Sequence, residues 1–321
     1  MMISDKNKKV INVHFAFERQ KNEPSIIEFA NNGWLIHPGG HFQGIQRMDV
    51  SDSTYFLITG SSEDEAYFIV VGKPSDRYEI IQKKVISKNP YRHAGGIQVI
   101  GNYLVVGIED NRKQDISQVL IFDVKEPDKP IGEPILAIQR KGKKKLATAG
   151  AVAVTKIGDE YLLIVGSWDS DTLDFYKSNG ISLSERDSNG KSLCEFSYWF
   201  TWDKDKSNRD SWCDSKWGNY QNLNLVSNVN DNLFLIGYYF DEENGFDYAD
   251  LYSLHLDKPI YEMIKKESSK RMMCKNGASF NYCGGIFVKD ENTIISYACS
   301  ANCSDYGVIN EFDLASWRFQ R

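Results

Sequence analysis

Two histidines open two similar segments, His41-Phe-Gln-Gly-Ile-Gln-Arg47 and His93-Ala-Gly-Gly-Ile-Gln-Val99, and each segment runs through a polar turn into an apolar stretch that ends on acids. If the two stretches form an antiparallel hairpin, residues equidistant from the turn face each other. A turn at Gly101-Asn102 then sets His93 opposite Asp110, and one at Asp52 sets His41 opposite Glu63. The same reasoning sets Thr148 opposite Asp169, Tyr220 opposite Phe240 with Asp241 next to it, and Tyr282 opposite Ser300. Imidazoles and carboxylates gathered this way could hold a divalent cation or an ionic ligand. They could also supply a general base, because a carboxylate beside a histidine raises its pKa toward working pH. His37, in Ile36-His37-Pro38-Gly39-Gly40-His41, precedes the same end and has no counterpart in the other segments. That favours a ligand site over a purely structural device.

A second region with chemical potential lies between Lys177 and Asn219, where Trp199, Trp202, Trp212 and Trp217 are more than half of the seven tryptophans. Exposed, Trp202 and Trp212 would stack on sugar rings or on a partner; alternatively Phe196-Ser-Tyr-Trp-Phe200 is a strand with its tryptophan buried. Within the same region Asp203, Asp205, Ser207 and Asp214 match the oxygen positions of a calcium loop, without its usual glycine and terminal glutamate. A divalent cation such as calcium is the one cofactor the sequence suggests. The six cysteines show no Cys-x-x-Cys or Cys/His metal spacing, so buried free thiols are expected. Cys283 and Cys299 fall nearly opposite one another in the last hairpin, and Cys194 and Cys213 would suit a disulfide in an oxidising compartment. No nucleophile elbow, phosphate loop, dinucleotide fingerprint or zincin motif occurs.

The elements that must position these residues repeat. Besides the two histidine segments, Thr148-Ala-Gly-Ala-Val-Ala-Val154, Tyr220-Gln-Asn-Leu-Asn-Leu-Val226 and Tyr282-Cys-Gly-Gly-Ile-Phe-Val288 each lead into an apolar strand, with a mean step of about 60 residues. Two more polar strands follow in each unit. Four short strands per unit, arranged in a ring that leaves only short protected edges, describe an all-β, five-bladed β-propeller. Its innermost strands are predicted near 43–49, 95–100, 149–156, 221–227 and 284–289. The last unit lacks a fourth strand, which an amino-terminal strand at Lys9–Phe17 or Ser25–Phe29 would supply, closing the ring. The expected organisation is one domain over 1–321, with 178–219 as a Trp-rich insertion in blade three. Six blades result if that insertion is itself a degenerate blade. No amphipathic helix is expected. The histidine–acid pairing also resembles the structural His/Asp network of WD-repeat propellers, under which each histidine would only pin its own hairpin.

With 38 basic and 44 acidic residues the formal net charge is −6, which argues against nucleic acid as a partner. Lys141-Gly142-Lys143-Lys144-Lys145, the densest basic run, reads as a solvated loop. No stretch reaches the roughly 18 apolar residues that span a bilayer, and the first nine residues carry no signal peptide. The chain as written is therefore expected to be cytoplasmic and monomeric, or secreted or periplasmic if it is a mature fragment. The expected function is ligand binding or scaffolding through the polar site at the channel mouth, with a small molecule, glycan or protein as partner. The alternative is a glycosidase- or esterase-like hydrolase at the same place.

Overall fold

The computed structural model describes residues 8–36 and 38–314, to which all statements of structure refer. Strand makes up 55% of the chain and helix 4%, so packing of sheet on sheet carries the fold. A first strand, β1 (Ser25–Ala30), precedes a series of hairpins. Blade one is β2 (Phe42–Val50), β3 (Ser53–Ser61), β4 (Glu65–Gly72) and β5 (Tyr78–Lys88). Blade two is β6 (His93–Ile100), β7 (Tyr103–Glu109), β8 (Ile116–Asp123) and β9 (Leu136–Lys141). Blade three is β10 (Ala151–Ile157), β11 (Glu160–Gly166), β12 (Thr172–Ser178) and β13 (Phe196–Asp203). Blade four is β14 (Asn222–Ser227), β15 (Leu233–Asp241), β16 (Phe246–Leu254) and β17 (Ile264–Met272). Blade five is β18 (Ala278–Asp290), β19 (Thr293–Ser300), β20 (Tyr306–Phe312) and, from the other end of the chain, β1.

The ring closes on itself. β2, β6, β10, β14 and β18 each pack against the next, and β18 returns to β2. Residues Ser25 to Ala30 pair antiparallel with Glu311 to Tyr306, so the amino-terminal segment completes the last blade. A two-residue parallel contact, Phe29 with Tyr78 and Ala30 with Glu79, ties that blade to the first. Five apolar clusters fill the seams, one between each pair of neighbouring blades. The flat aromatic and β-branched side chains of the sequence suit such sheet-to-sheet seams. Innermost strands crowd at the axis, and Gly285 makes room there: a Cβ on it would run into the Ile45 carbonyl.

Three expectations change. Residues Val13–Glu18 are a short α-helix, not a strand. Asn12 caps it, accepting from Phe15 N at 2.9 Å, and Val13, Ala16 and Phe17 are buried at helical spacing against the blade four–five seam. The closing strand is thus Ser25–Ala30 alone. Residues 178–219 contribute β13 to blade three and form no further blade, which removes the six-bladed alternative. No helix among the described residues is long and apolar enough to cross a membrane.

Candidate functional site

Where the innermost strands begin and the second strands end, a cavity of about 330 Å³ opens over the channel. Blade one brings His41, Gln43 and Ser61 to it, blade two His93, Glu109 and Asn111, and blade three Trp168 and Asp169. Tyr220 and Gln221 of blade four and Asn281 of blade five complete the lining.

His93 faces Glu109, not Asp110. Between Ala94 and Ile97, β6 sets Gly95 and Gly96 against the single residue Gly107, and this bulge moves the pairing by one. Only glycine fits at these positions: a Cβ on Gly95 would meet the Gly150 carbonyl, and one on Gly96 the Gln221 carbonyl. Glu109 is 1% exposed. Its Oε2 accepts from Ala149 N at 2.6 Å, and its Oε1 lies 3.1 Å from His93 Nδ1. The second contact is at ion-pair distance but off the line of a well-directed hydrogen bond.

The Gln43 amide nitrogen stands between the two imidazoles, 2.9 Å from His93 Nε2 and 3.3 Å from His41 Nε2. His41 Nδ1 lies 2.6 Å from the Phe42 carbonyl, which can only accept. His41 therefore carries its proton on Nδ1, and Nε2 offers a lone pair to the amide. Burial holds His41 below the usual imidazole range, the Phe42 carbonyl opposes that shift, and nearby His93 adds to it. The two imidazoles are thus joined through one amide donor.

Asp169 enters from blade three on strained backbone. It has φ 55° and Ser170 has φ 54°, a left-handed pair without glycine. Trp217 Nε1 donates to the Ser170 carbonyl at 3.0 Å, and Ser170 Oγ donates to the Tyr220 carbonyl at 2.9 Å, which hold the turn. Burial raises the Asp169 carboxyl above the usual range. Asp171 and Glu109 raise it further, against Lys145 and Lys204.

Of the residues singled out from the sequence, His41, His93 and Asp169 meet in this cavity. Glu63 is exposed on the rim, its backbone carbonyl taken by Arg92 at 2.6 Å. Asp110 and Asp241 cap turns. Asp110 Oδ1 accepts from the backbone of Arg112 and Lys113 at 2.9 and 3.1 Å. Asp241 accepts from Lys216 Nζ at 2.5 Å and from Glu243 N at 3.1 Å. An aspartate just before a tight turn is drawn to the turn's free N–H groups, which is why neither reaches the cavity. His37 lies outside the described residues.

Trp202 and Trp212 are not ligand platforms. With Trp217 they fill the seam between blades three and four, Trp202 fully buried and Trp212 donating to the Ile264 carbonyl at 3.0 Å. The suggested calcium loop does not assemble. Asp203 caps the turn at Asp205 N (3.0 Å) and pairs with Lys206 at 3.0 Å, Asp214 pairs with Lys266 at 2.9 Å, and Ser207 and exposed Asp205 are not brought to them. Among the described residues no three His, Cys, Asp or Glu side chains converge as a metal site. All six cysteines are free thiols, Cys283 and Cys299 directly opposite each other in blade five.

The sequence reading missed Glu109, Gln43 and Trp168. The Gly95-Gly96 pair inside a strand was the available bulge signal for the first. The second lies two residues from His41 and so on the same strand face.

No protein-family model matches the chain, and no curated protein matches it in sequence. Solved structures resemble it in fold. BT0996, in a structure of its RGII complex, superposes with a TM-score of 0.53 at 9% identity, over 96% of this protein and 97% of that one. An exo-beta-1,3-galactanase from Phanerochaete chrysosporium, with beta-1,3-galactotriose, gives 0.49 at 10% identity; it is matched by 92% of this chain, which spans 64% of its length. A GH43_1 enzyme from Xanthomonas citri complexed with xylose gives 0.46 at 10% identity, over 87% and 88% of the two chains. At such identities the likeness is one of fold alone: this chain is an all-β propeller.

Proposed function

We propose that the protein is a hydrolase that cleaves a glycosidic bond at the channel mouth. The observation that carries this reading is the meeting of one carboxyl and two imidazoles from three blades in one small cavity, Asp169 of blade three, His41 of blade one and His93 of blade two. The Asp169 carboxyl is pushed up toward its protonated form while His41 is pushed down toward its neutral form. A carboxyl held toward its protonated form suits a general acid. Asp169 is the acid. His93 is the base: Glu109 Oε1 lies 3.1 Å from its Nδ1, and its Nε2, which lines the cavity side and meets the Gln43 amide at 2.9 Å, takes the proton once water displaces that amide. A water gives its proton to His93 Nε2 as its oxygen attacks the anomeric carbon. The bond to the leaving oxygen breaks, and that oxygen takes the proton of Asp169.

A sugar is the substrate class because the lining offers amides (Gln43, Asn111, Gln221, Asn281) for hydroxyl groups and one indole, Trp168, for a ring face. The volume falls at the small end of ligand cavities, about 300–1,000 Å³, which suits a terminal residue over a long chain segment.

A second reading, glycan binding without turnover, is favoured by Gln43, whose amide occupies both free imidazole nitrogens. One experiment separates the two. A panel of aryl glycosides is incubated with the protein while release of the aryl group and heat of binding are both followed. Release with saturation kinetics supports hydrolysis, and saturable binding without release supports the second reading. Neither release nor binding across the panel would sink both.

A further inference from the structure

A larger cleft lies away from the channel, between the outer strands of blades two and three, with a volume of about 1,020 Å³. Ile138 of β9, Phe196 and Tyr198 of β13, Leu146, and Ile260 and Tyr261 from a blade-four loop make its walls. Leu146, Tyr198, Ile260 and Tyr261 are 47%, 58%, 46% and 51% exposed, so four large apolar side chains gather in one concavity. Surface apolar groups that gather in this way mark binding sites more often than scattered ones do.

The charges of the cleft are unequal. Arg140, whose side chain is 4% exposed, is satisfied by Asp174, by Tyr176 Oη at 3.1 Å and by Ser117 Oγ at 3.1 Å. Lys206 pairs with Asp203 at 3.0 Å. Both lining carboxylates are thus neutralised. Lys141 has no acidic partner among the described residues, and neither do Lys143 and Lys144 beside it. The buried indole N–H of Trp202, another lining residue, also finds no acceptor. On a chain of net charge −6, this is a local excess of cations and donors against an apolar wall.

We infer that this cleft binds an amphipathic organic anion, with an aromatic or aliphatic body against the apolar wall and one carboxylate or sulfonate at Lys141. Aliphatic Ile138, Leu146 and Ile260 do not suit a bare sugar, and a single unpaired lining cation does not suit a polyanion. The site is separate from the channel mouth and independent of the chemistry proposed there.

The test titrates the full chain with 1-anilinonaphthalene-8-sulfonate and follows its emission, with decanoate and decanol as competitors. The expected result is one saturable site, displaced by decanoate and not by decanol. Lys141→Glu should weaken it about tenfold, as expected for losing and reversing one charge contact, and Lys73→Glu, on blade one, should leave it unchanged. Leu146→Asp should weaken it too, and because that change also alters the apolar wall, the charge variant Lys141→Glu decides. Absence of saturation, equal affinity in Lys141→Glu, equal displacement by decanol, or capture of an acidic peptide with neither small anion would each overturn the inference.

Discussion

Glu109→Gln changes one atom type and tests how the site is wired. The carboxylate is buried, accepts from Ala149 N through one oxygen and faces His93 Nδ1 with the other. Glutamine can keep the Ala149 contact with its carbonyl, which places its NH₂ against His93. The imidazole must then move its proton to Nε2, where it meets the Gln43 amide donor head-on. Hydrogen bonds to a charged group contribute about 1.5–3 kcal/mol and neutral ones about 0.5–1.5. The net loss of stability should therefore be about 1–2 kcal/mol, because burying an amide costs less than burying a charge. For a chain of 321 residues that lowers the melting temperature by about 1–3 °C. Turnover should fall much further, by about 10²–10⁴, because a base in the wrong tautomer has no lone pair to offer. Thermal denaturation, steady-state kinetics and the ¹⁵N spectrum of the His93 ring measure all three quantities. An unchanged tautomer with unchanged turnover would refute the claim that Glu109 orients His93.

Other outcomes follow from the same structure. Because folding lowers the pKa of His41, its contribution to stability is complete above the ordinary value of about 6.5 and is lost as pH falls through that value toward the lowered one. Melting temperature should therefore drop between pH 7.5 and 5, and His41→Asn should flatten that part of the curve; parallel curves would count against it. Gly285→Ala should destabilise by more than about 1–3 kcal/mol, since the added methyl meets the rigid Ile45 carbonyl and not a side chain that can turn aside; chemical denaturation reads this. Iodide should quench half-exposed Trp199 and spare Trp202, Trp212 and Trp217. A glycan-dependent change in fluorescence should vanish in Trp168→Phe and persist in Trp199→Phe.

The repeat made the ring legible, because a propeller blade cannot bury its faces alone and so writes the same apolar hairpin several times. The observed inner strands, Phe42–Val50, His93–Ile100, Ala151–Ile157, Asn222–Ser227 and Ala278–Asp290, cover the predicted ones closely. What the repeat could not carry was local departure from it. A one-residue bulge at Gly95-Gly96 exchanges Asp110 for Glu109, since side chains alternate faces and a single step reverses them. Residues 13–18 looked like a strand because Val13, Phe15 and Phe17 alternate, yet the Asn12 cap and burial of Ala16 make them a helix. Trp202 and Trp212 read equally as platform or core from sequence, because only the facing blade decides whether their rings are covered. Asp169 was placed at the correct end by hairpin counting, although its left-handed backbone left no mark in the residue type.

The central claim is that Asp169 donates a proton to the leaving group. The most direct measurement compares wild type with Asp169→Asn on two aryl glycosides of the same sugar, one with a good leaving group and one with a poor one. A lost general acid matters only where the leaving oxygen needs protonation. The account expects Asp169→Asn to lose about 10²–10⁴ in kcat/KM on the poor leaving group and far less on the activated one. Equal losses on both substrates, or none on either, would contradict it.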